Sequence, residues 1–298
     1  MKKRAVSVML TAAMVSAMLA GCGSKNAETQ SAADTTAESA ASGDETSADT
    51  QAADAETTDA ETTDASKTDG TFTVGFDQDS PPMGFVGDDG EFTGFDLEMA
   101  AEVAKRLNLM IAYQPIAWDA KDMELDAGTI DCIWNGFTMN GREDDYEWSK
   151  PYMKNNQVFV VRGDSDINSE ADLAGKNVEV QTDSSAEAAL NDNSELTSTF
   201  GSLTPVADYN TAFMDLESGA VDAIAMDDVV ASYQITSRKA DFKVLDDVIA
   251  AEEYGIGFKK GNTGLRDKVQ ATLEEMAADG TAAKISEKWF GKDITTIQ

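Results

Sequence analysis

Two segments of this chain show a weak internal similarity. Met123-Glu-Leu125-Asp-Ala-Gly128-Thr-Ile-Asp131-Cys-Ile133-Trp-Asn-Gly136 aligns without gaps to Met214-Asp-Leu216-Glu-Ser-Gly219-Ala-Val-Asp222-Ala-Ile224-Ala-Met-Asp227. In each copy the spacing predicts a helix that stops at a glycine, which takes the left-handed conformation without steric penalty, and a buried strand that starts two residues later. Either the chain builds one helix–strand unit twice, once per lobe, or two unrelated joints share a short pattern by chance. Around the repeat the same alternation continues. Phe72, Val74 and Phe76 recur at strand spacing, and Leu97, Ala100, Val103 and Leu107 at helical spacing. A strand at 110–114, a helix near 119–127 and a strand at 130–134 follow. Strands and helices in this order imply an α/β fold with parallel sheets covered by helices.

The repeat also locates a cleft. Gly136 and Asp227 hold corresponding positions, expected just past the carboxyl ends of equivalent strands, where open α/β sheets take their ligands. One wall then carries Asn135, Gly136, Thr138 and Arg142: glycine lets backbone approach a ligand, the Thr138 hydroxyl and amide donate, and the Arg142 fork suits a carboxylate. Arg142 is followed by Glu143, Asp144 and Asp145, so a surface ion pair is the other reading. Asp227 on the opposite wall either holds a cation or, beside Asp228, caps the next helix. A zwitterion needs both ends neutralised, since burying an unpaired charge costs several kcal/mol, and one acid plus one arginine would do so. Trp118 either covers the ligand or packs in the core, and Asp77 at the end of the first strand offers further acceptors. Gln181, Ser184 and Ser185 form a small polar turn that opens a helix, as ligand donors or as a plain N-cap.

Composition removes other classes of function. The net charge is -32, which repels nucleic acid and suits solubility near an anionic envelope. With no histidine, the usual general base, the Ser-His-Asp arrangement and most zinc or copper sites are gone, and no metal or cofactor is expected. Residues 1–22 read as a signal peptide: basic at the start, apolar to Ala20, ending in Leu19-Ala20-Gly21-Cys22, which resembles a bacterial lipobox whose cysteine becomes lipidated. A chance cysteine after an ordinary cleaved signal is the alternative. Residues 23–70, rich in Ala, Ser, Thr, Asp and Glu and holding the repeat Asp54-Ala-Glu-Thr-Thr, Asp59-Ala-Glu-Thr-Thr, contain too little apolar surface to offset ordering and read as an acidic tether. Cys132, in an apolar strand, reads as a buried thiol.

From Val74-Gly-Phe-Asp77 through Gly94-Phe-Asp96, Gly128-Thr-Ile-Asp131, Asn135-Gly136-Phe-Thr138 with Arg142, Asp172-Leu-Ala-Gly175-Lys176, Tyr254-Gly-Ile-Gly-Phe258 and Lys288-Trp289-Phe290-Gly291, the chain resembles the family 3 solute-binding proteins of polar amino acid ABC transporters. The resemblance implies a periplasmic-binding-protein type II fold, two α/β lobes joined by two hinge strands: residues 71–157 with 254–298 as the first lobe, 158–253 as the second, hinges near 157–161 and 250–254. It also implies a monomer that is not an enzyme, is lipid-anchored outside the cell membrane, and delivers an amino acid to a membrane permease and its ATPase. By matching positions Arg142 would bind the ligand carboxylate with Gly136 and Thr138, Asp227 its ammonium, and Trp118 would cover it. Ser80 stands where many members carry an aromatic residue, and the loop from Thr138 to Arg142 looks one residue short. A glutamine-like ligand is favoured, although Asp77 and Asp79 also suit a cation. Two rivals remain: a secreted enzyme resembling cyclohexadienyl dehydratases, and a tethered sensor or adhesin.

Overall fold

The computed structural model describes residues 70–298. The signal peptide, the lipidation site Cys22 and all of the tether but Gly70 lie outside the described residues.

The chain starts on β1 (Thr71–Phe76) and forms a small antiparallel flap of β2 (Asp79–Ser80), β3 (Gly84–Val86) and β4 (Phe92–Thr93), followed by α1 (Phe95–Arg106). Asp96 and Glu98 sit in the first turn of α1 and Lys105 and Arg106 in its last, each matched in sign to the helix dipole. Next come β5 (Met110–Pro115), a 3₁₀ turn at Trp118–Ala120, α2 (Lys121–Ala127), β6 (Cys132–Thr138), the short β7 (Glu147–Trp148) and the long β8 (Met153–Arg162). The following stretch holds β9 (Asn177–Gln181), α3 (Ser185–Asp192), α4 (Ser194–Thr197), β10 (Ser202–Val206), α5 (Tyr209–Ser218), β11 (Ala223–Asp227) and α6 (Asp228–Arg238). The longest strand, β12 (Phe242–Phe258), leads to α7 (Thr263–Ala278) and α8 (Thr281–Phe290).

One mixed sheet runs β10-β9-β11-β8-β12-β6-β1-β5, with β7 paired to β12. Its ends are parallel trios in the same order, β5-β1-β6 and β10-β9-β11, joined through the antiparallel β8 and β12. Buried Phe72, Val74 and Phe76 pack with Leu97, Met99 and Val103 of α1 and with Leu265, Val269 and Leu273 of α7. Beyond β8, Val178, Val180, Ala186, Leu190, Ala223 and Ala225 form a second cluster. Each such side chain larger than alanine contributes about 1.5–3 kcal/mol when fully buried.

The internal repeat extends to individual hydrogen bonds. Gly128 and Gly219 end α2 and α5 in the left-handed conformation, at φ 70° and 78°. Asp131 and Asp222 then each bond twice to the first strand of their own trio: their amides donate to Thr73 O (2.8 Å) and Asn177 O (2.9 Å), and their carboxylates accept from the amides of Thr73 (2.7 Å) and Asn177 (2.9 Å). Because these aspartates replace the first rungs of the ladder, β6 and β11 begin at Cys132 and Ala223, later than the apolar pattern suggests. The trios also share their register, with Val74 opposite Cys132 and Val178 opposite Ala223. Neither Gly136 nor Asp227 lies past its strand end. Asp227 is the last residue of β11, and β6 continues through Gly136 to Thr138 because β12 pairs with its end, Tyr254 opposite Thr138.

Candidate functional site

Asp77, Trp118, Asn135, Gly136, Thr138, Arg142, Gln181, Ser184, Ser185 and Asp227 line one cavity, which Ser80 and Tyr209 complete. Its volume is about 20 Å³, room for little more than a water molecule, so a larger guest requires the walls to part. One wall comes from the β5-β1-β6 trio and its loops, the other from β9, α3, α5 and β11.

Gly136 shows why this position needs no side chain. Its φ is +59°, and a Cβ there would lie 3.2 Å from the Tyr254 ring and 3.3 Å from Met83. That backbone turns its amide onto Asp96 Oδ2 at 2.6 Å, an oxygen that also accepts from the Tyr152 hydroxyl at 2.8 Å. Asp96 is fully buried, and burial raises its pKa to about 7. Arg142 stands in the turn after β6. Its Nη1 reaches Thr138 O (3.4 Å), its Nη2 reaches Asp183 O (3.2 Å), and its guanidinium lies 5.4 Å from the centre of the Phe137 ring. Glu143, Asp144 and Asp145 are exposed, and among the described residues Arg142 forms no ion pair, so its charge has no ionic partner. Trp118 both packs and lines the cavity: its ring meets Phe137 edge-on at 5.5 Å.

On the facing wall Ser184 caps α3, its hydroxyl accepting from the Glu187 amide at 3.1 Å. Asp227 makes no capping bond to α6. Its Oδ1 instead accepts from Asn155 Nδ2 (2.8 Å), Gln157 Nε2 (2.8 Å) and the Tyr254 hydroxyl (2.6 Å). Burial and the neighbouring Glu252 carboxylate push the Asp227 pKa well up. Asp77 is also raised, to about 6, chiefly by burial.

Several contacts tie the walls together. Gln181 Nε2 donates to Asp77 Oδ2 (2.7 Å), Asn210 Nδ2 to Asp79 Oδ1 (2.7 Å), and the Thr138 and Ser185 hydroxyls meet at 3.2 Å. The ammonium of buried Lys121 pairs with Asp183 and lies 5.4 Å from the centre of the Trp118 ring.

Comparison with known proteins places this arrangement. The bacterial extracellular solute-binding proteins, family 3, match residues 72–292. The chain belongs to that family. It is 34% identical over 228 residues to the L-cystine-binding protein TcyJ of Escherichia coli strain K12, covering 76% of this chain and 84% of that one. Among solved structures, an ABC uptake transporter substrate-binding protein from Streptococcus pneumoniae with bound histidine superposes with a TM-score of 0.74 at 34% identity, covering 76% of this chain and 95% of the other. An ancestral arginine-binding protein bound to glutamine gives 0.69 at 35% identity, covering 75% and 99%. The fold is the type II periplasmic-binding fold of these neighbours.

For this family 3 protein, the sequence reading missed three participants. Glu252, Lys121 and Tyr209 reach the site through contacts between distant segments, which no local pattern announces. Asp96 was visible only as part of the Gly94-Phe-Asp96 motif, with no sign that it would be buried under Gly136.

Proposed function

We propose that the protein is the substrate-binding component of an ABC importer and captures a polar α-amino acid between two closing lobes. In this reading the lobes are residues 71–157 with 254–298, and 158–253, and the hinges are the crossings of β8 and β12 near 157–161 and 250–254. The single observation that carries it is the cavity with Arg142, a guanidinium without an ionic partner among the described residues, on one wall and a carboxylate, Asp227, on the other. The relatives' names support the ligand class, since cystine, histidine and glutamine share an α-ammonium and an α-carboxylate and differ elsewhere. Those names describe binding proteins, which supports a non-enzymatic role. Arg142 takes the carboxylate, Asp227 the ammonium, and Trp118 covers the guest; the Gly136 amide and the Thr138 hydroxyl, expected from the sequence to join Arg142, already donate to Asp96 and Glu252. Cys22 carries the lipid that holds the protein, as a monomer, outside the membrane beside its permease and ATPase.

Gln181, Ser184 and Ser185 suit a glutamine-like side chain. A second reading has its own support: Asp77 also lines the cavity, and a buried acid without a cationic partner among the described residues suits a cationic side chain. A thermal-shift screen of the amino acids, L-cystine included, tests both, because ligand at 100 times its Kd adds about 2.7 kcal/mol of stability. Stabilisation by L-arginine, and none by L-glutamine, would select the cationic reading; the reverse would select the amide.

A further inference from the structure

Behind the cavity lies a carboxylate with no place in the clamp described above. Glu252, on β12, is 6% exposed, and its Oε1 accepts from the Thr138 hydroxyl (2.7 Å), Asn155 Nδ2 (2.6 Å) and Gln157 Nε2 (2.8 Å). Those two amides are the ones that also hold Asp227. Buried Glu252 and half-buried Asp227 thus share one set of donors, and among the described residues neither has a cationic partner. A third acceptor belongs to the same group: Oε1 of the fully buried Gln157 has no hydrogen-bond partner among the described residues. Two carboxylates on shared amide donors, beside an amide oxygen with no partner, thus leave this cluster rich in acceptors and without a cation among the described residues.

We propose that Glu252 and Asp227 work as one proton-holding pair, and that the ligand's ammonium displaces their shared proton when it binds. This deepens the proposed function and rests on it. The balance is simple: the pair keeps one proton between its oxygens without ligand, the ammonium brings three N–H donors and a positive charge, and the displaced proton leaves to solvent. Glu252 also lines a second groove of about 450 Å³, bordered by Arg142, Ser184 and Ser185, which gives that proton a way out. The ionisable groups facing the pair are Tyr254 on β12, Tyr209 on α5, Asp77 after β1 and Arg142 after β6. Asp228 is engaged elsewhere, by Asn156 at 2.9 Å. The direction agrees with the elevated affinity of Asp227 for its proton, which burial and Glu252 cause. Glu252 is a positioning residue here, acting through the charge on Asp227.

Calorimetric titration of the full chain at about pH 7, in phosphate and in Tris, tests it with L-glutamine, L-arginine, L-histidine and L-cystine as probes. The binding heat should differ between buffers by an amount equal to release of about one proton. In Glu252→Gln most of that release should vanish, while circular dichroism reports a native fold. Heat independent of buffer in the wild type overturns the proposal, and so does an unchanged proton count in the variant, which would leave Glu252 a structural role only. Should Glu252→Gln not fold, Glu252→Asp replaces it, and retention of the release is then expected. Binding of none of the four probes overturns the amino-acid reading itself, whereas binding without proton release overturns this inference alone.

Discussion

Among the described residues Arg142 has no ionic partner, and it is half-buried, so its charge is available to a guest. Removing one partner of a desolvated charge pair costs about 2–5 kcal/mol, so Arg142→Ala should weaken amino-acid binding about 100-fold or more in calorimetry, with little change in the unliganded Tm. Asp96 behaves oppositely. Its folded pKa of about 7 lies above the ordinary carboxyl value of 3.8, so the native state binds the proton more tightly than the unfolded chain. Stability from this group is therefore full at low pH and falls as pH rises through that window. The unliganded Tm should drop between about pH 4 and about pH 7, and Asp96→Asn, which keeps an acceptor for Gly136 and Tyr152, should flatten the decline. At this scale the sequence was informative where a residue lay on the repeat or in a short polar turn, as Gly136, Asp227, Gln181 and Ser184 do. It was silent on Glu252, whose burial depends on Thr138 and Asn155, far away along the chain.

The repeated unit makes a matched pair of elements and hence a matched pair of predictions. Gly128 and Gly219 close α2 and α5 at positive φ, so alanine at either should cost about 1 kcal/mol by forcing a left-handed backbone on a residue with a Cβ. A loss of that size lowers Tm by about 2–4 °C, similar for both variants and without effect on the site. The contact between α2 and the turn before α3 differs in kind, because it joins the two walls. Asp183→Asn leaves the buried ammonium of Lys121 without its partner only while the walls are together. Apparent ligand affinity should therefore fall about tenfold, the equivalent of about 1.4 kcal/mol, with a smaller change in unliganded stability. Element order and the βαβ pattern were legible because apolar spacing records them. Strand limits were not: Asp131 and Asp222 take over the first rungs of their ladders, and β12 extends β6 through Gly136.

For the whole molecule, two similar α/β trios meet across β8 and β12, and the cavity between the walls has room for little more than water, so the proposed capture of an amino acid requires the walls to part. The most direct measurement is a thermal-shift titration with the amino acids and L-cystine on the wild type, Arg142→Ala and Asp227→Asn, alongside analogues of the best ligand lacking either the α-carboxylate or the α-ammonium. The expected result is stabilisation of the wild type by at least one amino acid, loss of that shift in both variants, and no shift with either analogue. A shift that survives in both variants, or an analogue missing one charged end that stabilises as well as the parent, would contradict it.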